Sequence, residues 1–246
     1  VTNKDYVKRI DIKAYHEQRR GGKGVIGADL ATGDFVKQMI TCSTHDNLLF
    51  FTSRGKLYWM KAYEIPEVAR YGKGKPIINL LNTSDEITAV IPVDKYEGSL
   101  VMTTKKGIIK RVNMKLFSNP RKGGINAINL KDDKLIGVEL IQGTEDILLA
   151  TREGIAVRFK ASDVREMGRN AYGVTGIKLE KDDSVVGVKI IPQNSKLTIL
   201  TITENGYGKR TPMEEYRVTS RACKGIINVN TSDRNGKVIG IEMVNS

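Results

Sequence analysis

Apolar and polar positions alternate in short runs along the chain, and these runs recur with a period of about fifty residues. Each unit has a β-branched run, a turn, a strand with basic residues, a loop with glycine and cations, and two more apolar strands. The spacing of apolar residues expected of a helix is rare, so the pattern predicts an all-β chain. The turns fall at Asp5, Gly55, Gly107, Gly154 and Gly206.

The closing strands of the units repeat as well, in residues 135–138, 185–188 and 238–241. Short strands at this period are typical of a propeller-like ring of blades. We expect the chain to be a fragment of a longer one, because the first unit begins inside its first strand and residue 246 directly follows a closing strand. The sequence predicts one domain, residues 1–246, with five repeats at about 1–46, 47–97, 98–145, 146–194 and 195–246.

The charge of the chain indicates a polyanionic partner. The 40 lysines and arginines outnumber the 28 acidic residues and give a formal net charge of +12. Nucleic acid is the leading candidate, since the cations are scattered along the whole length and form no amphipathic basic helix of the kind that binds membranes. The longest apolar runs, such as residues 48–51, have the size of a strand and predict no membrane span or export signal.

Several signals typical of enzymes or metal sites carry little weight. Residues 22–27 read G-x-G-x-x-G, but no helix-forming run follows as dinucleotide binding requires. His16 and His45 stand in no metal-ligand pattern. The acidic pairs at 132–133 and 182–183 recur at equivalent places, which favours a turn over a catalytic carboxylate pair.

The remaining chemically distinctive side chains also have structural interpretations. Cys42 and Cys223 lie far apart without metal-type spacing, as is usual in a reduced cytoplasmic protein. Trp59, Tyr58 and Tyr63 could stack on the bases of single-stranded nucleic acid. Their position in a repeated strand favours packing within a blade instead.

One short loop combines charge with the capacity for close backbone approach. Its glycines tolerate positive φ, and its cations can make charge-assisted bonds to phosphate oxygens; the simplest alternative is a basic turn between strands. The other repeats carry equivalent loops at residues 70–74, 121–124, 169–173 and 221–225, which we call the glycine loops together with residues 20–24. The full form occurs once, as Gln18, Arg19, Arg20, Gly21, Gly22, Lys23 and Gly24.

Residues 18–24 match at all seven positions the box that marks the C-terminal domain of the DNA gyrase A subunit. Residues 205–211 also look like the pattern of that family, which the chain resembles over its whole length. The resemblance implies a β-pinwheel, a propeller-like ring of four-stranded blades with strands exchanged between neighbours. Gyrase rings usually have six blades, whereas five repeats are visible here. The C-terminal domain of the topoisomerase IV A subunit is the nearest alternative, and the intact box favours gyrase.

The resemblance also implies a function. Duplex DNA would wrap around a basic outer rim in a positive sense and without sequence specificity, so that the parent ATP-dependent type IIA topoisomerase introduces negative supercoils. The expected partners are double-stranded DNA, the gyrase A N-terminal region and the gyrase B subunit in an A2B2 assembly, in the bacterial cytoplasm at the nucleoid. We expect no catalytic residue, metal or cofactor here, since the catalytic tyrosine, ATP and Mg²⁺ act elsewhere, and we expect the isolated domain to be monomeric.

The candidate DNA-binding residues are the seven of the box and a set of cations at recurring positions. Some of these are expected to be ordinary surface residues, since alternation along a strand points part of them away from DNA. A propeller for protein recognition remains an alternative that predicts no salt-dependent DNA binding, and a propeller-type hydrolase lacks a convergent set of acids or histidines. The cations outside the box are Lys8, Arg9, Arg70, Lys73, Lys110, Arg111, Arg121, Lys122, Arg158, Arg169, Lys209, Arg210, Arg221 and Lys224.

Overall fold

The computed structural model describes residues 1–14, 30, 32–69 and 71–245, and these residues form a series of antiparallel sheets. The α-helix α1 (Ile78–Leu81) and a few short 3-10 helices, one of which spans Ala62–Glu64, connect the strands. The all-β prediction is confirmed. In chain order the strands are β1 (Tyr6–Val7), β2 (Asn47–Thr52), β3 (Lys56–Lys61), β4 (Lys75–Pro76), β5 (Ile87–Val93), β6 (Ser99–Thr104), β7 (Ile108–Asn113), β8 (Ile125–Asn126), β9 (Leu135–Ile141), β10 (Asp146–Thr151), β11 (Ile155–Lys160), β12 (Val174–Thr175), β13 (Val185–Ile191), β14 (Thr198–Thr203), β15 (Gly208–Pro212), β16 (Ile226–Ile227) and β17 (Val238–Val244).

Each of the last four repeats builds a three-stranded antiparallel unit. In repeat two, β2 pairs with both β3 and β5, and the sets β6, β7, β9 and β10, β11, β13 and β14, β15, β17 repeat this arrangement. The predicted turns connect the hairpin strands, and Gly55 and Gly107 adopt φ values of 76° and 80° there. Glycine tolerates this left-handed conformation without steric cost, which explains its recurrence at the turn.

A two-residue strand after the glycine loop of repeats three, four and five completes the sheet of the preceding repeat. Strand β8 of repeat three pairs with β3 of repeat two, β12 of repeat four with β7, and β16 of repeat five with β11. The sheet order β5-β2-β3-β8 is therefore built by two repeats. This exchange confirms the pinwheel topology.

The two ends of the described chain differ from the four-stranded pattern. Repeat one contributes β1, which forms a two-stranded sheet with β4 of repeat two. The fifth sheet has three strands, and no described residue pairs with the free edge of β15. Four-stranded sheets are thus confirmed for repeats two, three and four.

The core lies between successive sheets as well as within them. One cluster joins Phe51 of repeat two to Phe117 of repeat three, whose rings meet edge to face at 6.4 Å between centroids. The closing strands also approach closely, because a Cβ on Gly137 would lie 2.6 Å from the Val188 side chain. Apolar burial at these junctions stabilises one repeat against the next.

The aromatic residues of repeat two serve packing at two of three positions. Tyr58 is buried, and Trp59 packs on the core while its Nε1 donates to the Phe117 carbonyl at 3.0 Å. The packing prediction is wrong for Tyr63, which is exposed because it lies on the 3-10 helix after the strand.

The paired acids at 132–133 and 182–183 form turns, as predicted. The Asp133 carboxylate accepts the backbone N–H of Lys106 at 3.1 Å, and the Asp183 carboxylate accepts that of Glu153 at 3.0 Å. Each acid therefore caps the hairpin turn of its own repeat, which accounts for its recurrence without a catalytic role.

Candidate nucleic-acid interface

Each described glycine loop crosses over the strand that follows the hairpin turn of the preceding repeat. These strands are β1, β3, β7 and β11; together with β15, which follows the hairpin turn of repeat five, we call them the basic strands. The last glycine of each loop lies against a backbone carbonyl, so that any side chain would collide with it; this close approach explains the glycine. A Cβ on Gly74, Gly124, Gly173 or Gly225 would lie 2.5–2.9 Å from the carbonyl oxygen of Val7, Leu57, Ile109 or Ala156, respectively.

Successive glycine loops are also hydrogen-bonded through the segments that follow them. The Asn129 N–H donates to the Ala171 carbonyl at 3.2 Å, which joins repeats three and four. The Lys178 N–H donates to the Cys223 carbonyl at 2.9 Å, which joins repeats four and five. The loops are therefore held in a fixed series, together with the cations that they carry.

Three of the predicted cations are exposed and free for a ligand. The side chains of Lys73, Arg121 and Lys122 make no hydrogen bond or ion pair with the described residues. A phosphate could bind them without displacing an internal partner. All three lie on glycine loops.

Three further exposed cations have internal partners. Lys209 donates to the Asn228 carbonyl at 3.0 Å, and Arg210 donates to the Asn245 carbonyl at 2.8 Å. Lys224 lies 2.7 Å from a Glu180 carboxylate oxygen, and this hydrogen bond raises the pKa of Lys224. An exposed pair of this kind contributes little to stability, so a phosphate can compete for Lys224.

Several half-buried cations hold neighbouring repeats together. Arg9 lies 2.8 Å from Glu67 of repeat two and donates to the Ile65 carbonyl at 3.3 Å. Arg158 pairs with Asp146 at 2.8 Å and donates to the Met213 carbonyl of repeat five at 3.0 Å. The side chains of Arg9 and Arg158 are thus engaged in contacts within the protein. The same holds for three further cations: Lys8 donates to the Gly72 carbonyl, Arg111 forms an ion pair with Glu166, and Arg221 donates to the Thr175 carbonyl.

The structure contradicts the prediction that Lys110 binds DNA. Its side chain is fully buried, and its Nζ donates to the carbonyl oxygens of Ala127 and Arg169 at 2.8 and 2.5 Å. Side chains alternate between the two faces of β7, and Lys110 points toward the glycine loop of repeat four and the segment after the glycine loop of repeat three, not toward solvent. Lys110 therefore cannot contact DNA in this conformation. Arg169, another of the predicted cations, is half-buried.

The most distinctive predicted site lies outside the described residues. This holds for Arg70 and for the whole box, Gln18, Arg19, Arg20, Gly21, Gly22, Lys23 and Gly24. Their assignment to DNA binding stays a prediction from the sequence.

The structure adds one contact that the sequence did not reveal. The Lys131 Nζ lies 5.1 Å from the centroid of the Tyr172 ring on the glycine loop of repeat four. A cation at this distance interacts favourably with an aromatic face. The exposed Lys181, at the equivalent position in the next repeat, was the available signal.

The described part of the chain offers no metal site, since no group of three or more histidines, cysteines or acids is arranged to hold an ion. None of the described helices is long and apolar enough to cross a membrane. Cys42 and Cys223 are both free thiols.

Comparison with known proteins gives a consistent family. The family model of the DNA gyrase C-terminal domain, a β-propeller, matches residues 1–43, 46–94, 98–142, 145–192 and 198–245. The DNA gyrase A subunit of Haloquadratum walsbyi is 46% identical over 99% of the chain, and that of Salmonella typhimurium is 46% identical over 99%. The chain spans 30% and 28% of the lengths of these two relatives.

Solved structures of the same kind share the fold. A structure of the DNA gyrase A C-terminal domain is 31% identical with a TM-score of 0.81, and the alignment covers 100% of this chain and 81% of that one. A crystal structure of the C-terminal domain of DNA topoisomerase IV also has a TM-score of 0.81, with 26% identity and coverage of 100% and 76%. The matches to curated gyrase A proteins and to the gyrase family model over all five repeats show that the chain belongs to the DNA gyrase C-terminal domain family.

Proposed function

We propose that the chain binds, bends and wraps duplex DNA as the C-terminal domain of the gyrase A subunit. The observation that carries the proposal is the series of glycine loops, hydrogen-bonded to one another from repeat three to repeat five, together with the exposed cations Lys73, Arg121 and Lys122 on glycine loops. The net charge of +12 supports a polyanionic ligand. Membership of the gyrase family selects DNA among the polyanions.

The energetics of wrapping fit repeated phosphate contacts. Bending 20–30 bp of DNA through 40–90° costs roughly 1–6 kcal/mol, which favourable contacts must offset. Each neutralised phosphate releases condensed counterions, and one contact per repeat adds to the next along the path. Since phosphate contacts carry no base information, binding should be nearly independent of sequence.

In the whole enzyme, this chain supplies the direction of the wrap rather than a chemical step. A positive wrap would present a second duplex segment to the gate, so that strand passage introduces negative supercoils. DNA cleavage and ATP hydrolysis would belong to the gyrase A N-terminal region and the gyrase B subunit in an A2B2 assembly. We place this assembly in the bacterial cytoplasm.

Equilibrium binding to short duplexes at several salt concentrations tests the proposal. We expect log K to fall linearly with log salt, with a slope of about −0.9 for each phosphate contact, and to change little between duplexes of different sequence. A protein-recognition propeller would instead give no salt-dependent binding, and that outcome would contradict the proposal.

A further inference from the structure

Lys110 is the sole charged residue in the fully buried set of the described chain. It occupies the third position of the basic strand β7, and its Nζ donates to the carbonyls of Ala127 and Arg169. Burial, with the charge of Arg169 as a second cause, lowers the pKa of Lys110 from 10.5 to about 8. Burying an ammonium removes its hydration and costs free energy, so its presence here needs a structural or functional reason.

The two carbonyls belong to two successive repeats. Ala127 follows β8, which comes from repeat three and pairs with β3 of repeat two. Arg169 begins the glycine loop of repeat four, whose β12 pairs with β7 itself. One ammonium therefore lies where the glycine loop of repeat four meets the segment that follows the glycine loop of repeat three, and we call this place the crossing.

The same crossing is built without an ammonium one repeat further along. Val157 occupies the third position of β11 and is buried, and the backbone bond from Lys178 to Cys223 there matches the bond from Asn129 to Ala171 at the crossing of Lys110. Replacing buried charges by apolar side chains is often neutral or stabilising. The fold itself thus has an apolar solution at this position.

Equivalent lysines in two other repeats make hydrogen bonds of the same kind. Lys8 of repeat one donates to the Gly72 carbonyl, on the glycine loop of the next repeat. Lys209 of repeat five donates to the Asn228 carbonyl, which follows the glycine loop of its own repeat. Lys110 makes both kinds of contact and so connects the glycine loop of repeat four to the segment that follows the glycine loop of repeat three.

We propose that Lys110 is a positioning residue that sets the spacing between the glycine loops of repeats three and four. The inference rests on the proposed function, because that spacing fixes where Arg121 and Lys122 stand relative to the next loop along the DNA. The path of bent DNA depends on where successive phosphate contacts lie. Lys110 therefore affects the geometry of the wrap and leaves the number of contacts unchanged.

A distance measurement without DNA tests the spacing. Nitroxide labels are placed by Lys122→Cys and Asn170→Cys, both at exposed positions, in a chain that carries Cys42→Ser and Cys223→Ser. Double electron–electron resonance then measures the distance between the two labels in the chain with Lys110, in Lys110→Val, which has the residue of repeat four, and in Lys110→Met. We expect a broader or shifted distance distribution in both variants, with circular dichroism unchanged. An unchanged distribution would overturn the proposal, and so would unfolding of both variants, which would make Lys110 a folding residue.

A second measurement connects the spacing to DNA. Nicked plasmid is ligated in the presence of each chain, and the linking-number shift is compared with the salt slope of binding. For Lys110→Val we expect the linking-number shift to fall by about half while the salt slope of binding stays unchanged. For the matched variant Lys122→Gln we expect the magnitude of the salt slope to decrease by about 0.9, the value for one phosphate contact. A slope loss of that size in Lys110→Val would reveal a direct phosphate contact and contradict the inference. Absence of salt-dependent binding by the unmodified chain would remove the proposed function instead, and the label distances would still report on Lys110.

Discussion

At the scale of single residues, the internal partner of a cation decides what it can do. The guanidinium groups of Arg9 and Arg158 donate hydrogen bonds to carbonyls of the next repeat, so these residues connect repeats. Arg121 and Lys122 have no such partner among the described residues and can bind phosphate at little cost. Both kinds of cation occur at recurring positions, and burial separates them.

Lys122→Gln is expected to weaken DNA binding uniformly across sequences. Loss of one phosphate contact should reduce the salt slope by about 0.9. Lys115→Gln is the matched control, because Lys115 is also exposed but lies on the 3-10 helix Met114–Phe117 and not on a glycine loop. Fluorescence anisotropy at several salt concentrations measures both; equal losses in the two variants would show that general surface charge, not the loop, holds DNA.

Lys110 predicts a pH dependence of stability with a defined sign. Its pKa is about 8 in the folded chain, below its usual value of 10.5, so the unfolded chain binds more protons between these pH values. The free energy of unfolding should therefore rise with pH in that range, by up to about 3 kcal/mol relative to Lys110→Met. Urea unfolding of both proteins at pH 7 and pH 10 measures the difference. A constant difference between them would contradict the lowered pKa.

At the scale of elements, the closing strands explain a glycine that the hydrophobic pattern leaves unexplained. Gly137 and Gly187 stand at the same position of β9 and β13, and each faces a side chain of the next repeat. A Cβ on Gly187 would lie 2.7 Å from the Ile241 side chain. The glycines permit the close approach of successive closing strands, and through it the stacking of the sheets.

Gly187→Val should therefore destabilise the chain strongly, by about 1–3 kcal/mol or more from overpacking. Gly240 stands at the equivalent position of β17 and has no described atom within 4 Å of an added Cβ, so Gly240→Val is the matched control. We expect thermal unfolding at a clearly lower temperature for Gly187→Val and a near-normal temperature for Gly240→Val. Equal destabilisation would mean that loss of glycine, rather than contact with the next sheet, is responsible.

The sequence predicted the repeating β-rich unit because its signals are local. The turn at Gly107 and the apolar run of residues 135–138 can be recognised without knowing their partners. Burial of Lys110 could not be predicted, because the carbonyls that surround it come from other repeats and alternation alone leaves two possible faces. Likewise, the exchanged strands are only two residues long, too short for a periodic pattern; strand exchange came from family resemblance.

At the scale of the whole molecule, the connections between repeats run in one direction. Repeat three completes the sheet of repeat two, repeat four that of repeat three, and repeat five that of repeat four. These junctions share one topology and follow the same order along the chain. This directionality is what a wrap of one hand requires.

The box extends this account to the complete enzyme. Replacing residues 18–24 by alanines in the gyrase A subunit should spare DNA nicking and relaxation and abolish ATP-dependent negative supercoiling, because the cations that we propose to fix the wrap would be lost. Plasmid supercoiling and relaxation assays on the assembled A2B2 enzyme measure the two activities. Retained supercoiling would contradict the role of the box, and loss of both activities would point to a folding defect.

The central claim is chiral wrapping, and the linking number of a plasmid reports it directly. Nicked circular DNA is ligated in the presence of the chain at low and moderate salt, deproteinised and resolved by gel electrophoresis. The account predicts a positive shift of the linking-number distribution that grows with the amount of protein and disappears as salt weakens the phosphate contacts. Binding without any shift, or a negative shift, would contradict it.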